Sequence, residues 1–189
     1  MLRFVLPFAL LLSACQPAAL PPLSGARIGG PFALVDQNGV ARTDRDFAGR
    51  YRIMYFGFTY CPDVCPVDLA RLVAGYRAFA KADPARAARV VPVFVSVDPA
   101  RDTPAVLKTF TAAFDPALVG LTGSRQAIDA VTKAYGVAVQ VGKPNADGGY
   151  LVDHSRAAYL MGPDGAPIAL LSNEAKPEVI AAELKKWVD

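Results

Sequence analysis

The chain has 189 residues, 53% of them hydrophobic, with a formal net charge of +3 and one histidine. That length suits one domain with a real core, and that hydrophobicity excludes extensive disorder. The charges form no basic block and no basic–aromatic stripe, which sets nucleic acid aside as a partner.

Residues 1–15 read as a leader. Arg3 is a thin positive start, and Phe4 to Leu12 is an apolar run shorter than the roughly 20 residues that span a bilayer. The run ends in Leu12-Ser13-Ala14-Cys15, which resembles the bacterial lipoprotein box. That resemblance implies a signal peptide ending at a lipidated Cys15 and a membrane-anchored lipoprotein facing the periplasm. An ordinary secretory cut at a small residue and a degenerate anchor are the other readings. Residues 16–30 are rich in Pro, Ala and Gly and read as a flexible tether, so a single domain is expected over 31–189.

Phe32 to Val35 reads as a strand entering a hairpin at Asn38-Gly39. Tyr51 to Thr59 is a β-branched and aromatic run, as expected of a buried central strand. Leu69, Leu72, Val73, Tyr76 and Phe79 then recur at helical spacing up to Asp83-Pro84. Val90 to Val97 is a second buried strand. Thr103-Pro104 caps and opens a helix carrying Val106, Leu107 and Phe110, and Ser124 caps another that closes at Gly136. Ala157 to Leu160 and Ile168 to Leu171 flank a hairpin turn at Gly162 to Gly165, and a last helix carries Val179, Ile180, Leu184 and Trp187. This alternation predicts an α/β domain of thioredoxin-like pattern: a central, mainly parallel sheet, flanking helices and an N-terminal β-hairpin.

The chemistry concentrates at Cys61-Pro62-Asp63-Val64-Cys65-Pro66, where a strand ends and a helix begins. A helix N-terminus favours thiolate over thiol, and a one-turn spacing aims both sulfurs the same way. The pair reads as a redox dithiol, a soft-metal site or a structural disulfide; the loop is so short that a disulfide there is a weak staple. Thioredoxin-type oxidoreductases place two residues between their cysteines, and this chain has three. His154 opens the segment leading into the last hairpin, where thioredoxin folds usually carry a proline facing the cysteines. Asp153 or a backbone carbonyl is expected to orient its ring. Two sulfurs and an imidazole suit copper in either oxidation state, with zinc the competing metal. Met54 and Met161 lie in apolar strand runs and read as core.

The stretch Tyr55-Phe56-Gly57-Phe58-Thr59-Tyr60-Cys61-Pro62-Asp63-Val64-Cys65-Pro66 resembles the signature of the Sco/SenC proteins, as do Ser96 to Pro104, Gly120 to Gly123 and Val152 to Ser155. The resemblance runs from about Pro31 to Trp187. It implies a thioredoxin fold in which Cys61, Cys65 and His154 bind copper, Cu(I) or Cu(II), for the dinuclear copper centre of cytochrome c oxidase subunit II. An upstream copper donor or thiol reductant is the implied second partner. Delivery of copper, reduction of the target's cysteines by Cys61 and Cys65, and redox or copper sensing are the three roles it leaves open. Tyr60 stands where many members have histidine, so that position adds no ligand.

Overall fold

The two apolar strand runs, Tyr51 to Thr59 and Val90 to Val97, meet at the centre of the molecule. The computed structural model describes residues 19–189, so the leader, Cys15 and the start of the tether lie outside the described residues. In chain order the strands are β1 (Ala33–Asp36), β2 (Ala41–Thr43), β3 (Tyr51–Gly57), β4 (Val90–Ser96), β5 (Val119–Thr122), β6 (Val139–Val141), β7 (Val152–His154), β8 (Ala158–Met161) and β9 (Pro167–Leu170). The helices are α1 (Val64–Ala82), α2 (Pro84–Ala87), α3 (Pro104–Ala112), α4 (Arg125–Ala134) and α5 (Pro177–Trp187). Every residue of β3 and β4 is buried, as strands covered on both faces must be. They pair in parallel from Tyr51↔Val90 to Gly57↔Ser96.

The main sheet runs β2-β1-β5-β4-β3-β8-β9. Its centre, β3, β4 and β5, is parallel, because each crossover passes through helix. Both flanks are antiparallel: β1 with β2 and β5, and β8 with β3 and β9. The expectation of a mainly parallel sheet therefore holds for the centre only. Tight turns build much of the flanks. In the first, the Asp36 carboxylate accepts the N–H groups of Asn38 at 2.8 Å and Val40 at 3.0 Å, and Gly39 takes a φ of +80°.

Helix starts follow local chemistry. Thr103 accepts the Val106 N–H and Ser124 that of Ala127, each satisfying an otherwise orphaned donor. Helices α1 and α5 press close at Gly75, where an added Cβ would sit 2.5 Å from Ile180. Met54 and Met161 are wholly buried core residues, as their strand positions imply.

Three expectations need correction. The tether is docked over its second half: Leu23 N–H donates to Ile168 O at 3.0 Å, Gly29 N–H donates to Ala134 O at 2.9 Å, and Leu23 and Ile28 pack on the core. Two apolar side chains and two backbone hydrogen bonds hold this Pro/Gly-rich run against the domain. Val179 is exposed, leaving Ile180 and Leu184 as the buried face of α5. Finally, β6 and β7 form a separate antiparallel hairpin, and His154 ends β7 rather than opening β8.

Candidate metal centre

The cysteine loop begins where β3 stops. An added Cβ at Gly57 would meet Phe94 at 3.0 Å, Tyr55 at 3.2 Å and the Cβ of Cys65 at 3.5 Å, so glycine there lets Cys65 settle against the sheet end. The chain turns through Phe58–Cys61, with the Cys61 N–H donating to the Phe58 carbonyl, and enters α1 at Val64. Asp63 holds the N-cap position without capping the helix. The Cys61 sulfur fills that role, accepting the Cys65 N–H at 3.4 Å. Cys65 is fully buried and Cys61 half-buried, and both are free thiols.

His154 arrives from the opposite side on the β6–β7 hairpin. Its Nδ1 lies 3.0 Å from the Ser155 carbonyl, which can only accept, so Nδ1 carries the hydrogen and Nε2 presents a bare lone pair. That nitrogen lies 3.2 Å from Cys65 Sγ. Burial pushes the His154 pKa down, which keeps the ring neutral and able to accept. Phe58 meets the imidazole edge-on at 6.0 Å and 87°. The Ser155 carbonyl orients the ring and Asp153, which is exposed, does not; of the two orienters expected, the backbone one is present.

Position at a helix start predicts lowered thiol pKa values. For Cys65 the structure reverses it. Burial, together with the Cys61 sulfur beside it, pushes the Cys65 thiol up to about 12. A helix end offers about half a unit charge, and full burial of a thiolate outweighs it. Cys65 is therefore a neutral thiol in the metal-free protein, its hydrogen directed at Nε2.

The donor set fits a soft metal. Metal–sulfur and metal–nitrogen bonds of about 2.3 and 2.0 Å make a tetrahedral S–N edge of about 3.5 Å. The 3.2 Å between Cys65 Sγ and His154 Nε2 needs only a few tenths of an ångström more. Among the described residues no three His, Cys, Asp or Glu side chains already form a closed ligand cluster. Closing the trio takes a shift of Cys61, which lies in the loop rather than in β3 or α1. Cys61 and His154 line one open cleft of about 320 Å³ with Asp63, Leu151, Asp153 and Arg156.

Two further side-chain clusters support the site. Arg156 makes a forked ion pair with Asp68 of α1, Nη2–Oδ1 2.7 Å and Nε–Oδ2 2.9 Å, and Asp68 also accepts from Tyr55 Oη at 3.2 Å and Asn173 Nδ2 at 2.8 Å. This anchors the chain just after His154. On the other side, buried Asp102 accepts from Ser96 Oγ at 2.5 Å and from Thr59 Oγ1 at 2.6 Å, tying the Asp98–Thr103 loop to the cysteine loop. The Ser96–Pro104 motif was the available signal for the second; nothing local marks the first.

The fold and site define a class: a thioredoxin-like domain whose strand-end cysteine pair is faced by an imidazole from a hairpin. The fold is shared with the thioredoxin domain of a thiol-disulfide oxidoreductase from Bacteroides vulgatus, 19% identical, with a TM-score of 0.58 over 86% of this chain and 96% of that one. Within that class the chain belongs to the SCO1/SenC family, whose profile matches residues 21–189. It is 42% identical to protein SenC of Rhodobacter capsulatus over 166 residues, 88% of this chain and 73% of SenC. It is 38% identical to the mitochondrial SCO1 homolog of Mus musculus over 157 residues, which are 83% of this chain but only 55% of that one. Among solved structures, copper-bound ScoI of Bradyrhizobium japonicum is 42% identical with a TM-score of 0.77, over 85% of this chain and 99% of that one. A SCO1/SenC family lipoprotein of Bacillus anthracis is 28% identical with a TM-score of 0.73, over 90% of this chain and all of that one. BsSco, described as having a disulfide switch and as one of the Sco cytochrome c oxidase assembly proteins, is 28% identical with a TM-score of 0.65, over 82% of this chain and 90% of that one.

Proposed function

We propose that this chain is a copper metallochaperone of cytochrome c oxidase assembly. It binds copper through Cys61, Cys65 and His154 and delivers it to the dinuclear copper centre of subunit II. The observation that carries this reading is the 3.2 Å contact between Cys65 Sγ and His154 Nε2, with Cys61 at the rim of the same cleft. Thiolates suit Cu(I) and imidazole suits both copper states, and the similar B. japonicum ScoI holds copper. Copper takes the place of the proton between Cys65 and His154, so binding releases that proton to solvent. Cys61, the most accessible ligand, is the first to yield to a cysteine of the docked target; Cys65 and His154 let go last. Cys15 supplies the membrane anchor at the extracytoplasmic face. Among the described residues no helix is long and apolar enough to cross a membrane. The test is anaerobic mixing of the copper-loaded protein with the apo copper domain of an oxidase subunit II. Copper is expected to move to the subunit II domain; copper that stays with its carrier overturns the reading.

A second reading is favoured by the state of the thiols. Both are free, and only Cys61 reaches solvent. A Cys61 thiolate attacks a target disulfide and releases one target thiol; Cys65 then attacks the mixed disulfide, releasing the second and leaving Cys61–Cys65 oxidised. Reduction of an oxidised subunit II domain by copper-free His154→Ala protein, at the wild-type rate, supports this role over copper delivery.

A further inference from the structure

Arg101 lies beside the metal centre, and the copper chemistry proposed above does not use it. Its Nε donates to Asp98 Oδ2 at 2.5 Å, and its Nη1 donates to the Tyr150 carbonyl at 2.9 Å. The guanidinium carbon is 3.7 Å from the centre of the Tyr150 ring, 4.9 Å from that of Tyr60 and 5.8 Å from that of Phe58. Tyr150 completes the arrangement by donating its hydroxyl hydrogen to Asp98 Oδ1 at 2.8 Å. Asp98 is buried, and Arg101 Nη2 is enclosed without a hydrogen-bond partner among the described residues. One terminal nitrogen thus goes without a hydrogen bond while the guanidinium carbon sits over the Tyr150 ring.

One side chain therefore touches three segments. Phe58 and Tyr60 belong to the cysteine loop, Asp98 to the loop after β4, and Tyr150 lies two residues before β7. His154 follows Tyr150 by four residues. The connection itself offers little hold, since residues 143–149 are all exposed. A hairpin with so few buried contacts belongs to the readily opened part of a structure. After His154 it is anchored by Arg156 on Asp68; before it, Arg101 and the single buried residue Val152 do the holding.

We propose that Arg101 is a positioning residue of the metal centre: it clamps Tyr150 to the cysteine loop and so sets how far His154 reaches toward the sulfurs. This rests on the copper reading of the site. Arginine suits the task because its planar fork bonds Asp98 and the Tyr150 carbonyl while its face stacks on rings, and lysine does neither together. Opening the clamp frees His154 but leaves Cys65 fixed in α1. Loss is therefore one-sided. Cu(II), which depends on the imidazole, weakens; Cu(I), held by two thiolates, does not.

The test compares wild type, Arg101→Gln, Arg101→Lys, Tyr150→Phe and His154→Ala as full chains. It reads Cu(II) and Cu(I) affinity by competition, the Cu(II) electron paramagnetic resonance spectrum, and amide exchange over 142–154 in the metal-free protein. Arg101→Gln is expected to lose about tenfold or more in Cu(II) affinity, the scale of losing a residue that orients a ligand. Its spectrum becomes heterogeneous, residues 150–154 exchange faster, and Cu(I) affinity stays near wild type. Arg101→Lys shows the same one-sided loss in smaller measure and carries the test if Arg101→Gln does not fold. Tyr150→Phe keeps the stack, loses the Asp98 bond and falls between. A wild-type spectrum and wild-type exchange in the folded Arg101 variants overturn the proposal, as does equal loss of both copper states. If instead His154→Ala leaves the Cu(II) spectrum unchanged, the copper reading fails, and exchange in the metal-free variants still decides whether the clamp exists.

Discussion

Cys65 Sγ and His154 Nε2 stand 3.2 Å apart although 89 positions separate them in the chain. Cys65 is held rigidly, buried at the start of α1 against Gly57. His154 is held by its own backbone neighbourhood, with the Ser155 carbonyl on Nδ1 and Phe58 against the ring. Replacing the S–H hydrogen between them by a metal takes a few tenths of an ångström there and a movement of Cys61. His154→Ala is therefore expected to weaken Cu(II) binding by at least about a hundredfold while leaving the fold intact, since a first ligand costs more than the 10–100-fold typical of its supports. Competition titration alongside a thermal melt checks it.

The two thiols are expected to differ sharply toward a soluble alkylating reagent. Cys61 is half-buried at the cleft, whereas Cys65 is buried and its thiol is pushed up to about 12. At pH 8 a thiol of that acidity is about one part in ten thousand thiolate, and only the thiolate reacts. Timed alkylation with peptide mass spectrometry should show Cys61 modified well before Cys65. Equal rates contradict the burial of Cys65.

The Asp68–Arg156 pair is expected to behave asymmetrically. Arg156→Ala strands a carboxylate that is 1% exposed, leaving only Tyr55 and Asn173 to hold it. Arg156 itself is 37% exposed, which moderates the loss, so we expect about 2–3 kcal/mol, or a melting temperature about 4–12 °C lower. Asp68→Asn is expected to be milder, because Arg156 can turn to water and Glu174. Chemical denaturation of both variants gives the comparison.

Acid stability depends on Asp36. Burial alone would raise its pKa, but the N–H groups of Val40 and Asn38 and the Arg42 guanidinium outweigh burial and hold the carboxyl below its ordinary range. A folded pKa below the unfolded one gives stability that is fully present above the unfolded value of about 3.9 and lost as pH falls through the folded one. Asp36→Asn is thus expected to be about 1–2 kcal/mol less stable at pH 7, with the gap closing below about pH 4. Urea unfolding at pH 7 and at steps below pH 4 reads both; a gap that does not narrow as pH falls below about 4 removes the charge from the account.

Local features of this chain were legible because a few adjacent residues contain them. Thr103 and Ser124 cap their helices through a neighbour three residues on, and Asn38-Gly39 turns the first hairpin. The pairing of His154 with the cysteines came from likeness to a family and not from spacing. What stayed hidden is long-range or carried by backbone. Val139–Val141 is too short to announce a strand, so the β6–β7 hairpin was missed. A carbonyl such as that of Ser155 leaves no mark in a sequence. The helix end beside Cys65 was readable, but its burial was not, and burial decides its acidity. The contacts of Arg101 and Arg156 stay hidden because their partners, Tyr150 and Asp68, lie 49 and 88 positions away.

X-ray absorption at the copper edge tests the central claim most directly, on reduced protein loaded with one equivalent of copper under anaerobic conditions. With Cu(II) as that equivalent, two sulfur scatterers and one imidazole nitrogen are expected in the wild type, with the nitrogen lost in His154→Ala and a sulfur lost in Cys61→Ser or Cys65→Ser. A wild-type spectrum without the imidazole, or one that His154→Ala leaves unchanged, contradicts a site built from Cys61, Cys65 and His154.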